Sequence, residues 1–182
     1  QALVLCPSRE LAYQTNRVAE MLLEGSDLGT ACLAGGANPA RQIEKVRKER
    51  PQLLIGSAGR VAELAFDWGK LSLRHLDTIV LDEVDEALLP PHLEHTMRIL
   101  EHAREARGGR LQLNFASATA DTPTVRRAAY QLMSEPVLIR LGGSSAAAAD
   151  GSAGDAASSK RELMPDAITH GIVVSQPNKL VE

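Results

Sequence analysis

Aromatic side chains are scarce: two Phe, two Tyr and one Trp, 3% of a 182-residue chain. A core organised around aromatic anchors is excluded, and Leu, Val, Ile and Ala must fill the interior instead. Cysteine is as scarce. Cys6 and Cys32 each sit inside an apolar run, and two such residues make no disulfide framework. They read as buried thiols in a reducing, intracellular compartment. An excess of positive charge is also missing: 20 Lys and Arg against 23 Asp and Glu leave −3. That sum excludes holding nucleic acid by bulk charge and is compatible with a local basic face. No apolar run approaches the roughly 18 residues of a membrane-spanning helix, and no signal-like N-terminus is visible. The chain opens on Gln1 rather than Met and enters an apolar run at once, so the expectation is a cut chain. What is plentiful is aliphatic: 44% hydrophobic residues beside 24% charged ones, enough for a packed core.

Short apolar runs alternate with longer amphipathic ones. Ala2–Cys6, Thr30–Ala34, Gln52–Gly56, Thr78–Leu81, Leu111–Phe115 and Val137–Ile139 read as six strands. Between them, helical periodicity covers Glu10–Leu23, Pro39–Arg50, Arg60–Phe66, His92–Arg107 and Pro123–Met133. In the first of these helices, Leu11, Val18 and Leu22 with Ala12, Ala19 and Leu23 make an apolar side. Ser8 is placed to cap it and Gly25 to stop it. Strands alternating with helices imply an α/β fold: a parallel sheet with helices on both faces.

The chemistry concentrates where strands end. Thr78–Leu81 runs into Asp82 and Glu83, and in open parallel sheets ligands bind beyond the carboxyl ends of the strands. A carboxylate there can hold a hydrated Mg²⁺ on a nucleotide phosphate. Its neighbour can orient an attacking water. The alternative is that both acids merely cap the next helix. Pro7-Ser8-Arg9-Glu10-Leu11-Ala12 follows the first strand, Gly35-Gly36 the second, Ser57-Ala58-Gly59-Arg60 the third and Ser117-Ala118-Thr119 the fifth. All of them would line one sheet edge. Arg9 and Arg60 sit near helix starts, where free N–H groups favour anions and a guanidinium adds a fork matched to phosphate. The glycines let a backbone approach closely. Together they suit a groove that tracks a polynucleotide backbone without reading bases. Each cluster alone is equally an ordinary turn.

In order and spacing, these segments resemble the DEAD-box RNA helicases of helicase superfamily 2, over nearly the whole chain. Pro7–Ala12 is similar to motif Ia, Gly35-Gly36 to the glycine doublet, Ser57–Arg60 to motif Ib, Asp82–Asp85 to motif II, and Ser117–Thr119 to motif III. The resemblance implies a RecA-like domain of the P-loop NTPase fold, with ATP and Mg²⁺ as cofactors and RNA as partner. It implies that Asp82 holds Mg²⁺ through water and Glu83 activates the hydrolytic water. Asp85 would contact Ser117 and Thr119, linking nucleotide state to domain closure. Pro7, Arg9, Gly35, Gly36, Ser57, Gly59 and Arg60 would line the RNA path. Three departures stand out. Val84 replaces Ala in motif II. Ser8 and Ser57-Ala58 replace Thr and Thr-Pro. No Gly-x-x-x-x-Gly-Lys-Ser/Thr loop occurs in the 182 residues; the expectation is that it lies upstream in a longer protein, and that its strand is missing from the sheet. Two alternatives accompany this reading: an RNA-binding module without ATP turnover, and a superfamily 2 DNA helicase.

The expected organisation is a first RecA-like domain at 1–141, a linker at 142–160, and the start of a second RecA-like domain at 161–182, with a strand at Ile168–Val174. Gly142–Ser159 contains only Gly, Ser, Ala and Asp, too little apolar surface to stay ordered. Elsewhere, Arg41, Lys45, Arg47, Lys48 and Arg50, offset by Glu44 and Glu49, read as a solvated helix face with i,i+3 and i,i+4 pairs. Trp68 reads as a partly exposed packing residue. Arg104, Arg107 and Arg110 read as a helix-end device beside Gly108-Gly109. His92, His95 and His102 share a helix side without the partners a metal site needs.

Overall fold

The computed structural model describes residues 1–107, 110–119 and 122–139. The expected linker, second domain and Ile168 strand lie outside those residues. The compact unit Gln1–Leu138 holds one parallel sheet. Its strands are β1 (Ala2–Cys6), β2 (Thr30–Leu33), β3 (Leu53–Ser57), β4 (Thr78–Leu81) and β5 (Gln112–Phe115), in the order β2-β3-β1-β4-β5. The helices are α1 (Arg9–Leu22), α2 (Pro39–Glu49), α3 (Ala58–Ala62), which runs into a π-helical turn at Glu63–Asp67, α4 (Val84–Ala87), α5 (Leu93–Arg107) and α6 (Pro123–Leu132). This is a RecA-like α/β architecture.

Strand alternation sorts the core into two layers. Leu3, Leu5, Leu33, Leu54, Ile79 and Leu81 enter the larger one, which Ile43 of α2, Val61 of α3, Ile99 of α5 and Val125 of α6 cover. On the opposite face Cys6 and Ile55 pack with Ala12 and Ala19 of α1, with Val4 and Cys32 beside them. Ser8 caps α1 as expected, its Oγ accepting from Leu11 N–H at 3.1 Å. Which side of α1 turns inward differs in part from the sequence reading. Ala12, Asn16 and Ala19 are buried, whereas Val18 and Leu22 are 54% and 79% exposed. Small side chains let the helix approach the sheet, and Asn16 Oδ1 accepts from Thr30 Oγ1 at 3.0 Å. That bond satisfies a polar pair that periodicity alone would have placed outside.

The apolar triplet Val137-Leu138-Ile139 forms no strand. Among the described residues it joins no ladder, and its side chains are exposed. A three-residue apolar run becomes a strand only where a neighbouring strand is in register to receive it, and none of the five strands receives this one.

Cys6 is wholly buried. Burial pushes its thiol up to about 11, against the opposing hydrogen bond to Thr15 and with the Asp82 carboxylate and Cys32 adding to the rise. The thiolate is the reactive form, so at pH 8 only about one Cys6 in a thousand is competent. Alkylation of Cys6 by iodoacetamide, followed by mass spectrometry, is expected to run at least ~100-fold slower in the folded chain than in urea. A native rate equal to the denatured one would take Cys6 out of the core.

Candidate functional site

Because every strand pair is parallel, all five strands end at one edge. Register makes this concrete: Leu33, Gly56, Leu5, Leu81 and Phe115 form one row across the sheet. Each strand exit therefore delivers its polar cluster to the same side of the molecule, as the sequence reading requires.

At the β4 exit, Asp82 is half-buried and Glu83 exposed. Asp82 N–H donates to Leu5 O at 2.9 Å, and Asp82 Oδ1 accepts from Glu83 N–H at 3.1 Å. Glu83 occupies the left-handed region, at φ +49° and ψ 56°, which non-glycine residues populate sparsely. It precedes α4, yet its side chain makes no capping bond. The capping alternative for Glu83 is thus not realised. Val84 anchors the turn: its N–H donates to Ala116 O at 3.0 Å and its side chain is wholly buried. The departure from Ala is absorbed by the core.

Asp85 bridges two strand exits. Oδ1 accepts from Ser117 Oγ at 2.7 Å and Oδ2 from Thr119 Oγ1 at 2.6 Å. Ser117 Oγ also accepts from Thr119 N–H at 2.9 Å. The hydrogen bonds from Thr119 and then Ser117 hold the Asp85 carboxyl below the ordinary carboxylate range, against the opposing effect of burial. A folded pKa below the unfolded one means the bridge stabilises the fold at every pH above about 3.9. Its contribution is lost as pH falls through the lower, folded value. The melting-temperature gap between the wild type and Asp85→Asn is therefore expected to be flat from about pH 7 to 5 and to narrow below about 4. A gap that widens on acidification would contradict the bridge.

The proposed RNA-lining residues divide. Arg9 is exposed and pairs with Glu10 at 2.5 Å. Gly36 has φ +87°, and a Cβ built there would sit 3.7 Å from Arg9 Nη1, so the first and second strand exits meet. Gly35, Ser57 and Gly59 are half-exposed on the same edge. Pro7 is buried and acts as packing beneath that edge. Arg60 turns inward: its guanidinium donates to Ala37 O at 3.1 Å and Gln42 Oε1 at 3.0 Å, and its Nε pairs with Glu63 at 3.0 Å. Sequence reasoning missed Gln42. It is buried, and its amide donates to Ala34 O at 2.9 Å, so Arg60 and Gln42 together brace the glycine loop. A lone Gln in a basic helix offered no signal for this. His95 of α5, 3.7 Å from where a Gly59 Cβ would lie, was missed as a neighbour of this edge.

The donor set fits a hydrated Mg²⁺. Among the described residues no group of three or more His, Cys, Asp or Glu could hold a metal by itself. Mg²⁺ instead binds through one or two carboxylates while keeping waters and phosphate oxygens. Asp82, with one oxygen on Glu83 N–H, provides one such carboxylate.

An acidic strand tip is thus tied to the next strand's exit on a RecA-like sheet. The family model for DEAD/DEAH box helicase matches residues 1–128, and the chain belongs to that family. Among curated proteins it is 39% identical over 143 residues to the probable ATP-dependent RNA helicase YfmL of Bacillus subtilis, covering 78% of this chain and 36% of that protein. It is 35% identical over 141 residues to the DEAD-box ATP-dependent RNA helicase CshC of Bacillus cereus, covering 78% and 34%. The chain thus spans about a third of the length of these relatives. Among solved structures, a DEAD box protein from the hyperthermophile Methanococcus jannaschii superposes with a TM-score of 0.65 at 26% identity, over 74% of this chain and 35% of that one. Mss116p bound to ssRNA and AMP-PNP shares the fold, with a TM-score of 0.67 at 24% identity, over 73% and 27%.

Proposed function

We propose that this chain carries the acidic part of the nucleotide site and the RNA-gripping edge of an ATP-dependent RNA helicase. In that protein ATP binding and hydrolysis would drive RNA strand separation or RNA–protein remodelling. The observation that carries the reading is the Asp85–Ser117–Thr119 bridge, set two residues past Glu83 on the edge that also holds Arg9 and Gly36. Asp82 would hold the Mg²⁺ of MgATP through water, and the ion when bound supplies charge neutralisation at the phosphates. Glu83, exposed and without a side-chain partner among the described residues, would take a proton from a water. Arg9 and the backbone around Gly36, Ser57 and Gly59 would contact phosphates and sugars, which positions a strand without reading its sequence. Arg60 and Gln42 act on that contact by bracing the loop. Asp85 would transmit nucleotide state to the relative placement of two domains: a first RecA-like domain at 1–141 and a second beginning at 161–182, tethered by 142–160.

The second reading is an RNA clamp without ATP turnover. One experiment separates the readings. In the intact protein, ATP hydrolysis is expected to be stimulated at least tenfold more by single-stranded RNA than by DNA of the same sequence. Arg60→Ala should raise the RNA concentration for half-stimulation about tenfold and leave the KM for ATP within twofold. RNA binding without hydrolysis would establish the clamp. Equal stimulation by DNA would establish a DNA helicase, and equal losses for RNA and ATP would overturn the role given to Arg60.

A further inference from the structure

One groove of this unit lies away from the strand-tip edge. It encloses about 500 Å³ between α2 and the turn that follows the π-helical segment, and Ile43, Glu44, Arg47, Lys48, Trp68 and Lys70 line it together with Ala40. The α2 members fall at i, i+3, i+4, i+7 and i+8, a single helical stripe. Ile43 forms a buried floor, while Trp68 is 43% exposed. The sequence reading treated the basic residues of α2 as a solvated, self-paired face. That holds for Lys45, which pairs with Glu49 at 3.8 Å, and the Asp67 beside Trp68 is taken by Arg98 at 3.6 Å. It fails for Arg47 and Lys48, which, like Lys70, have no ion-pair partner among the described residues. With Glu44 the only carboxylate in the lining, the groove carries a net charge of about +2 around one indole.

We propose that this groove is an accessory single-stranded RNA site, in which a base stacks on Trp68 while Arg47, Lys48 and Lys70 hold the flanking phosphates. Two observations favour RNA over an acidic peptide. The cations come from two elements, Arg47 and Lys48 in the last turn of α2 and Lys70 two residues beyond Trp68, and cations beside an exposed aromatic surface are the combination that tracks an unpaired strand. The lining of the groove also begins at Ala40, in the first turn of α2, four residues beyond the Gly36 of the strand-tip edge and three beyond Ala37, whose carbonyl Arg60 holds. A strand leaving that edge at the glycine doublet and following α2 would reach the groove. The inference rests on the reading of the edge as an RNA path and extends that path down the side of the domain.

Trp68 is the single tryptophan of the 182 residues, so its fluorescence reports on the groove alone. Titrating the chain with a short oligouridylate is expected to quench it saturably. In the Arg47→Ala/Lys48→Ala variant the apparent Kd should rise about tenfold. The slope of log affinity against log salt should fall by about 1.4, the share of two phosphate contacts on a single strand. In the intact protein, Trp68→Ala should weaken RNA binding about tenfold and Trp68→Phe much less. RNA binding that is weakened by Arg60→Ala but neither quenches Trp68 nor responds to Arg47→Ala/Lys48→Ala overturns the groove and leaves the edge standing. Quenching that persists in Arg60→Ala while RNA-stimulated turnover is lost supports the groove independently of the edge. Quenching by polyglutamate and not by oligouridylate would assign the groove to an acidic protein partner and end the RNA proposal.

Discussion

Glu83→Gln is expected to lower RNA-stimulated ATP hydrolysis by about 10²- to 10⁴-fold, the range for removing a positioned general base, while ATP-dependent RNA binding stays within a few-fold of wild type. Glutamine keeps the size of the side chain and its tolerance of the left-handed backbone at φ +49°. It removes only the ability to accept a proton. The surroundings of Glu83 make the substitution clean. Its backbone is held from both sides, by Asp82 Oδ1 on its N–H and by the Val84–Ala116 bond that follows it, so the turn does not depend on the carboxylate. Steady-state hydrolysis and fluorescence-anisotropy RNA binding, each with and without ATP, check the two halves separately. Turnover within a few-fold of wild type would show that another group acts on the water. Loss of RNA binding along with turnover would show that Glu83 positions the edge rather than the chemistry.

Gly56→Ala is expected to be the most destabilising single-methyl change in the described residues, costing about 3 kcal/mol or more by the measure of overpacked cores. Gly56 lies on β3 between Leu33 of β2 and Leu5 of β1. A Cβ there would stand 2.4 Å from Leu33 O and 2.9 Å from Val61 Cγ2. The first of these is backbone of a ladder and cannot swing away, so either β2 separates from β3 or α3 lifts off the sheet. Both movements would displace Ser57, Gly59 and Arg60 from the strand-tip edge. Gly35→Ala is the matched control. Nothing lies within 4 Å of the Cβ it would add, and its stability should stay within about 0.5 kcal/mol of wild type. Urea denaturation of both variants, read by circular dichroism, tests the pair. A small effect at Gly56 would mean that β2 and β3 are less closely registered than the structure has them.

Much of this was written in the local sequence because the relevant signals are local. Five of the six apolar runs became strands at nearly the expected bounds, since a run bounded by Gly, Pro or polar turns leaves few other solutions. Ser8 capped α1 for the same reason. The strand-exit clusters were legible because a parallel sheet sends every exit to one edge, whatever the packing. The failures have a common source. Val18 and Leu22 were placed inward by periodicity, but the depth of the α1 contact depends on how small its neighbours are. Val137-Leu138-Ile139 lacked a ladder, which no residue in the triplet can reveal. Arg60 was read as a free fork because two of its three partners, Ala37 and Gln42, lie 23 and 18 residues away; the third, Glu63, is an i,i+3 neighbour that the sequence did offer.

The order of residues along this chain was enough to determine an aliphatic parallel sheet, the identity of the acids at its fourth exit, and the family to which they belong. The resemblance also implied the contact of Asp85 with Ser117 and Thr119, which the structure shows; only the tertiary structure decided that Arg60 turns inward to Gln42, that a Cβ at Gly56 would meet the backbone of Leu33, and that Arg47, Lys48 and Lys70, without an ion-pair partner among the described residues, share a groove with Trp68. Sequence specifies neighbours at one, two or four residues through fixed backbone geometry. Contacts across twenty or thirty residues exist only once burial and register have brought separate strands and helices together.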